Sequence, residues 1–380
     1  MSRMEAGARR QLLDELVGAR GLGLSVGRIC IGSSDYSRSA YSFDDSTVPD
    51  PELNGFSIGH DKSYILPVLR EARAANPELF LFGSPWSPPG WMKAGNSLLG
   101  GSMRKQYFAA YAKYFVKFLQ AYKDEGVTID AVTVQNEVDT DQDGRMPAAL
   151  WGQEYEIEFI GEHLGPAFRS ASLDTKIWLL DHNYNLWGRA LDELSDSRVL
   201  ESVDGVAWHG YAGEPSAMTK VHNEFPSKNA YWTEGGPDIS DPHYADDWAN
   251  WAGTFAGILN NWARCIVSWN LLLDEKGEPN IGPFSCGGLV TVNSKTGELK
   301  RSGQYWALAH YSKAVRRGSR VIASRGALAD IQHAAFVNPG GDFVLVLTNQ
   351  GSERKVACAF KGRTMSVTLP ANSVTTLQWS

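Results

Sequence analysis

The feature that most constrains this chain is an alternation. Seven short apolar runs are separated by longer segments of helical period: Leu24–Cys30, Leu79–Ser84, Ala131–Glu137, Ile177–His182, Gly205–His209, Ala230–Glu234 and Cys265–Leu272. Strands joined through helices run parallel, and their faces are covered by those helices, so they can be apolar throughout. The clearest helix is Arg104–Lys123, where Phe108, Tyr111, Phe115, Phe118 and Tyr122 recur at spacings of 3, 4, 3 and 4. That spacing makes one face of a helix, and burial against a sheet explains it better than a ligand stripe does. Further helices are predicted over Glu5–Val17, Tyr64–Ala74, Gln153–Ser170, Ala190–Ser195, Tyr244–Trp262 and Gly303–Val315. A strand–helix unit repeated this often predicts an α/β fold of the (β/α)8, or TIM, barrel type.

The pattern changes near Arg317. Beyond it come Phe343–Thr348, Lys355–Phe360, Met365–Leu369 and Val374–Trp379, short runs separated by Asn, Gly, Pro and Ser turns. Within Lys355–Phe360, Val356, Cys358 and Phe360 share one face, the period of a half-buried antiparallel strand. The expected division is a catalytic barrel over residues 1–316 and a small antiparallel β-sandwich over residues 317–380.

Composition narrows the function. With 43% hydrophobic and 21% charged residues the chain can bury a core and is not a disordered segment. A net charge of −7 without a long Lys/Arg run makes nucleic acid a poor partner. No stretch reaches the ~18 apolar residues of a membrane helix. Met1–Leu16 lacks the apolar centre of a secretory signal; as written the chain is cytoplasmic, while a truncated N-terminus leaves secretion open. The four cysteines, Cys30, Cys265, Cys286 and Cys358, form no CxxC pair, so no zinc site, disulfide framework or cofactor is implied and all four are expected to be reduced. The 13 tryptophans suit a core, and also a site that stacks on sugar faces.

Catalytic groups of such a barrel sit where strands end. Glu137 closes the run Ala-Val-Thr-Val-Gln-Asn-Glu, and Glu234 closes Ala-Tyr-Trp-Thr-Glu ahead of Gly235 and Gly236. One acid in such a place could cap a helix or close a salt bridge. Two, on separate strands, favour chemistry, and a facing pair of carboxyls is what glycoside hydrolysis needs. Asp35, Trp86, His209, Tyr211 and the Trp269–Asn270 pair lie at other strand ends, where sugar-binding groups belong.

Tyr-Trp-Thr-Glu-Gly-Gly, Thr-Val-Gln-Asn-Glu, Ser-Pro-Trp-Ser-Pro-Pro-Gly-Trp-Met-Lys and Gly-Ser-Ser-Asp-Tyr-Ser together resemble glycoside hydrolase family 30, the glucosylceramidase-like retaining β-glycosidases. The resemblance runs from about Gly21 to the C-terminus. It implies that Glu137 is the acid/base and Glu234 the nucleophile, with Asp35, Trp86, Asn136, His209, Tyr211, Trp269 and Asn280 lining the sugar subsite. It implies β-glucosides or closely related sugars as substrates, hydrolysed with retention and with the two carboxyls about 5–5.5 Å apart. The Glu137 pKa should then be raised by Glu234 and by apolar surroundings. Other readings are an endo-acting β-1,6-glucanase of the same family and a carbohydrate-binding protein with impaired turnover.

Two departures stand out. Val138 follows Glu137 where the family often has Pro, and a helix at Glu5–Val17 opens the chain with no barrel strand before it. A barrel lacking its first strand leaves unpaired edges at Leu24–Cys30 and Cys265–Leu272, and a homo-oligomer covering them is the expected remedy. Asp139-Thr-Asp141-Gln-Asp143-Gly144 matches the start of a calcium loop, but Leu150 stands where the bidentate Glu belongs, so a solvated acidic loop is the better reading.

Overall fold

The computed structural model describes residues 1–380. Seven parallel strands pair in sequence order: β1 (Val26–Cys30), β2 (Phe80–Ser84), β3 (Ala131–Thr133), β4 (Lys176–Asn183), β5 (Gly205–His209), β6 (Asn229–Glu234) and β7 (Ala263–Ile266). β1 and β7 do not pair, so the curled sheet is a TIM-like barrel left open on one flank. Helices cover its outer face. In the helix Phe108–Asp124 the five aromatics of that period are fully buried, as their spacing requires, and so is a sixth, Tyr114. The predicted helix over Gln153–Ser170 contains a π-helical stretch at Phe159–Leu164. Besides the single turn Gly59–Lys62, two helices escaped the sequence reading, Ser197–Ser202 and Ser216–Glu224. Both are short, and too few turns carry a period to detect.

Two predicted strands are shorter than their apolar runs. β3 ends at Thr133, and the chain then leans on both neighbours: Asn136 N–H donates to Pro85 O at 2.8 Å and Glu137 N–H to Asp181 O at 3.0 Å. β7 ends at Ile266. Val267 and Trp269 still donate to Trp232 O and Gly235 O, at 3.0 and 3.2 Å, but the chain turns toward the cleft. It then forms a separate small sheet from β8 (Leu272–Asp274), β9 (Val290–Val292) and β10 (Leu299–Arg301).

The open flank is bridged from within the chain at three levels. Outside, Glu15 of helix Ala6–Leu16 takes a forked pair of bonds from Arg301, at 2.6 and 2.5 Å, and one from Tyr305 at 2.7 Å. At the cleft, Ile281 N–H donates to Asp35 O at 2.7 Å, and Tyr36 OH donates to Phe284 O at 2.9 Å while accepting from Cys286 N–H at 2.7 Å. At the opposite end Arg317 donates to Ser25 O at 2.8 Å. β1 and β7 remain only half-buried, whereas β5 is buried along its whole length.

The C-terminal β-sandwich sets a four-stranded sheet against a hairpin. The sheet contains β11 (Arg320–Ile322), β12 (Ile331–Val337), β13 (Phe343–Asn349) and β16 (Ser373–Trp379). The hairpin contains β14 (Arg354–Phe360) and β15 (Arg363–Leu369). As the alternation predicts, Val356, Cys358 and Phe360 face inward from β14 while Lys355, Ala357 and Ala359 are exposed. Between the two sheets lies an open cleft of about 1120 Å³ lined largely by apolar side chains, among them Leu345, Val356, Met365 and Trp379. β12 was invisible in the sequence because its Ala334–Ala335 pair interrupts the period; both residues are buried, and the strand packs on helix Trp248–Asn260. No helix of the structure is long and apolar enough to cross a membrane.

Candidate active site

Arg28 in the middle of β1 and the carboxyl ends of β2–β6 converge on one buried ionic cluster. Arg28 is at its centre, with a side chain 3% exposed. Its guanidinium donates to Glu234 Oε2, to Asp181 Oδ2 at 2.7 Å, to Asn136 Oδ1 at 2.8 Å and, through Nε, to Ser84 Oγ at 3.0 Å. It also lies 4.7 Å from the Trp86 ring centre, and Trp86 stacks on Trp269 at 5.0 Å. A fixed fork of donors can hold four acceptors at once only because guanidinium is planar and permanently charged.

Glu234 is 6% exposed and takes a second bond from Tyr211 OH at 3.0 Å. The Tyr211 ring itself is exposed at the cleft rim. Gly235 and Gly236 have a packing reason: a Cβ at Gly235 would lie 2.3 Å from the Trp232 ring, and one at Gly236 would lie 2.3 Å from Trp269 O.

Glu137 stands in different company. His209 Nδ1 is 3.5 Å and His182 Nδ1 3.7 Å from Glu137 Oε1, while Gln142 donates to Oε2 at 2.9 Å. Burial would raise the Glu137 pKa, but His209, His182 and Gln142 outweigh it and hold it below the ordinary value. The raised pKa expected from the sequence is therefore corrected: the imidazoles, unseen as neighbours in the sequence, overcome burial.

Asp181 links the two carboxyls. It accepts from His209 Nε2 at 3.0 Å, Thr233 Oγ1 at 2.7 Å and Thr133 Oγ1 at 2.7 Å, besides Arg28. Burial alone would raise this carboxyl, yet Arg28 and His209 keep it well below the carboxylate range. His209 is fully buried. Desolvation lowers its pKa, but Glu234, Asp181 and Glu137 together push it up to about 9. Three non-glycine residues of the site have a left-handed backbone: Glu137, Leu180 and Asp181, with φ of 55°, 74° and 48°. A bulge between Leu180 and His182 re-aims the end of β4.

Asp35 is 4% exposed, and its pKa is pushed up to about 8 by burial and then by Glu234 and Glu137. Its Oδ1 has no hydrogen-bond partner, which leaves it free to accept from a sugar hydroxyl. Asn280 lies on the loop that passes Asp35, but its amide serves that loop, with Nδ2 on Phe284 O at 2.6 Å and Oδ1 under Gly282 N–H at 2.7 Å. The acids of the Asp139–Gly144 loop do not converge. Asp139 pairs with His182 Nε2, Asp141 accepts from Asp143 N–H at 3.2 Å, and Asp143 lies 3.5 Å from Arg145.

Comparison with known proteins decides the family. The glycosyl hydrolase family 30 TIM-barrel domain matches residues 3–315, and the family's beta sandwich domain matches residues 318–377. The chain belongs to glycosyl hydrolase family 30. It is therefore a glycoside hydrolase, and its substrate is a carbohydrate.

Among family relatives, an endo-1,6-β-D-glucanase of Neurospora crassa is 36% identical over 97% of this chain and 80% of its own length. Endo-1,6-β-D-glucanase BGN16.3 of Trichoderma harzianum is 33% identical over 98% of the chain and 79% of its own length. The lysosomal acid glucosylceramidase of Mus musculus is 27% identical over 91% and 71%. Of solved structures, SrfJ from Salmonella typhimurium superposes with a TM-score of 0.94 at 26% identity, covering 99% of this chain and 85% of that one. The endo-β1,6-glucanase BT3312 does so with 0.91 at 31%, covering 100% and 88%.

Arg28, Asp181, His182 and Gln142 were not identified from the sequence. For two of them a signal existed: Arg28 is a lone charge inside an apolar strand, and Asp181 stands at a strand end, the same criterion that singled out Glu137 and Glu234.

Proposed function

We propose that this family 30 enzyme cleaves β-linked glucosides by double displacement, with Glu234 as nucleophile and Glu137 as acid/base. The observation that carries the reading is that two carboxyls at strand ends flank one imidazole, with opposite partners. Arg28 and Tyr211 stabilise negative charge on Glu234, which suits attack on the anomeric carbon. As that bond forms, the glycosidic C–O bond breaks and the leaving oxygen takes a proton from Glu137. Water then attacks the glycosyl-enzyme and gives its proton to Glu137, so Glu234 is released and the configuration is retained. Below about pH 9 His209 carries a proton beside Glu137, so in the resting site the acid's proton is shared with that imidazole.

Asn136 gives its Oδ1 to Arg28, which turns its amide N–H toward the sugar 2-hydroxyl. Trp269 and the rim ring of Tyr211 offer flat apolar surface, with Trp86, 2% exposed, buried against Trp269 and Arg28, and Asp35 offers an acceptor. Within this reading β-1,6-linked glucan is the favoured substrate, because the relatives at 33–36% identity are named endo-1,6-β-D-glucanases. Incubation with a linear β-1,6-glucan and, separately, with glucosylceramide tests it. Gentio-oligosaccharides released with β-configuration in the first NMR spectra support it, and turnover of the ceramide alone overturns the substrate choice. A homo-oligomer at the open flank belongs to the same proposal, resting on half-buried β7 and exposed Leu271; a melting temperature independent of protein concentration would remove it.

A further inference from the structure

Three ligand-type atoms converge on the cleft: Glu137 Oε1, His182 Nδ1 and His209 Nδ1, all within 4.8 Å of one another. Both imidazoles are at least nine-tenths buried, and neither Nδ1 has a hydrogen-bond partner. Their Nε2 atoms are already committed, His182 to Asp139 and His209 to Asp181 at 3.0 Å. An ionised carboxylate can only accept, so each Nε2 carries a hydrogen, and in the neutral ring the Nδ1 lone pair points at Glu137. Once the proton that His209 carries beside Glu137 is displaced, three electron pairs face one another, a disposition that only a cation stabilises. A proton satisfies one pair of them; a divalent ion would satisfy all three.

We infer that Glu137, His182 and His209 form a binding site for a divalent transition-metal ion, zinc being the best match, and that its occupation blocks hydrolysis by taking Glu137 and the cleft out of use. Nitrogen and oxygen ligands at zinc distances stand about 3.3–3.5 Å apart around a tetrahedron. The 3.5 and 3.7 Å separations from Glu137 therefore need closing by a few tenths of an ångström, and the two Nδ1 atoms, which lie within 4.8 Å of each other, by up to about 1.4 Å through ring rotation. The buried carboxylates behind both rings fix the tautomer and orientation as partners of metal-bound histidines do. Glu137 is the most exposed of the three, so the fourth position opens to the cleft. Magnesium and calcium prefer all-oxygen ligands and are not expected to bind. The site is invisible in the sequence because its ligands come from the ends of three different strands.

The test is calorimetric titration of the whole protein with zinc chloride in a non-chelating buffer, read alongside the visible spectrum with cobalt(II). One ion per chain, bound in the micromolar range, is expected, with d–d bands of nitrogen and oxygen ligands. His182→Gln should weaken binding by about 100-fold, and Asp139→Asn, which leaves all three ligands in place, by about 10–100-fold. His243→Gln, at an exposed histidine paired only with Asp246, should leave the affinity unchanged. Circular dichroism establishes that each variant is folded. Zinc should also inhibit hydrolysis, with activity restored by EDTA. No saturable binding below millimolar zinc would overturn the inference. So would affinity that survives both His182→Gln and Asp139→Asn, or a thiolate charge-transfer band pointing to a cysteine. Binding is read without turnover, so its failure would leave the catalytic roles of Glu137 and Glu234 untouched.

Discussion

Glu137, just past the end of β3, and Glu234, at the end of β6, both face His209 and both are largely removed from water, yet they are held by opposite means. Glu234 has a permanent cation, Arg28, and a phenol; Glu137 has two imidazoles and an amide. The first set of partners cannot take or give a proton near neutral pH, and the second can. A carboxyl locked to arginine has its negative charge balanced by a fixed cation. A carboxyl beside titratable rings is suited to exchange a proton. Roles in a carboxylate pair follow from neighbours rather than from the acids themselves.

The largest effect that could break this contrast is expected at Glu234. Glu234→Ala should lower kcat/KM on an aryl β-glucoside by on the order of 10⁴-fold or more while the protein stays folded by circular dichroism. A 2-fluoroglucoside inactivator should label this residue in the wild type, as peptide mass spectrometry can show. Label on Glu137 would reverse the assignment.

Next comes Glu137→Ala. Substrates with poor leaving groups should lose about 10²–10⁴-fold in kcat, whereas a dinitrophenyl glucoside, which needs no proton, should keep most of its rate. Equal losses on both substrates would remove the distinction between the two acids.

Arg28→Lys sharpens the comparison from the other side. One ammonium cannot reach Glu234, Asp181, Asn136 and Ser84 together, so kcat should fall while the charge is kept. Arg28→Met leaves Glu234 and Asp181 buried without their cation and should cost about 3–5 kcal/mol of stability by denaturant titration.

A smaller effect concerns pH. The His209 pKa is raised to about 9, so its contribution to stability is complete below about 6.5 and is lost as pH rises through 9. Asp35, raised to about 8, acts in the same direction from about 3.8 upward. The melting temperature should therefore fall from pH 6.5 to 9.5, and fall less steeply in His209→Gln. The smallest effect is expected at Asn280, whose amide is spent within its loop: Asn280→Ala should change kcat/KM by no more than about twofold. A larger loss would place that amide on the sugar.

The strands and helices were legible because their signals are local. Gly205–His209 appears as a strand with those same ends, and Gly303–Ser312 lies within its predicted helix. What escaped shows the limit of that legibility. Arg28 is one charge in an apolar strand, and nothing in the chain says that it meets residues 108, 153 and 206 positions away. His182 follows Asp181 at the end of β4, and only the bulge there sends Asp181 inward to Arg28 and His182 toward Glu137.

The sequence by itself determined the parallel architecture, the C-terminal β-sandwich and the two strand-end acids, since apolar period and strand ends are properties of neighbouring residues. The tertiary structure alone decided which acid faces arginine and which faces histidine, and therefore the direction in which the pKa of Glu137 is shifted. It also decided that contacts from Glu15, Tyr36 and Arg317 would bridge the open flank. Those outcomes depend on distances between strands far apart in the chain, and electrostatic interactions, which fall off with distance, act only once folding has set those separations.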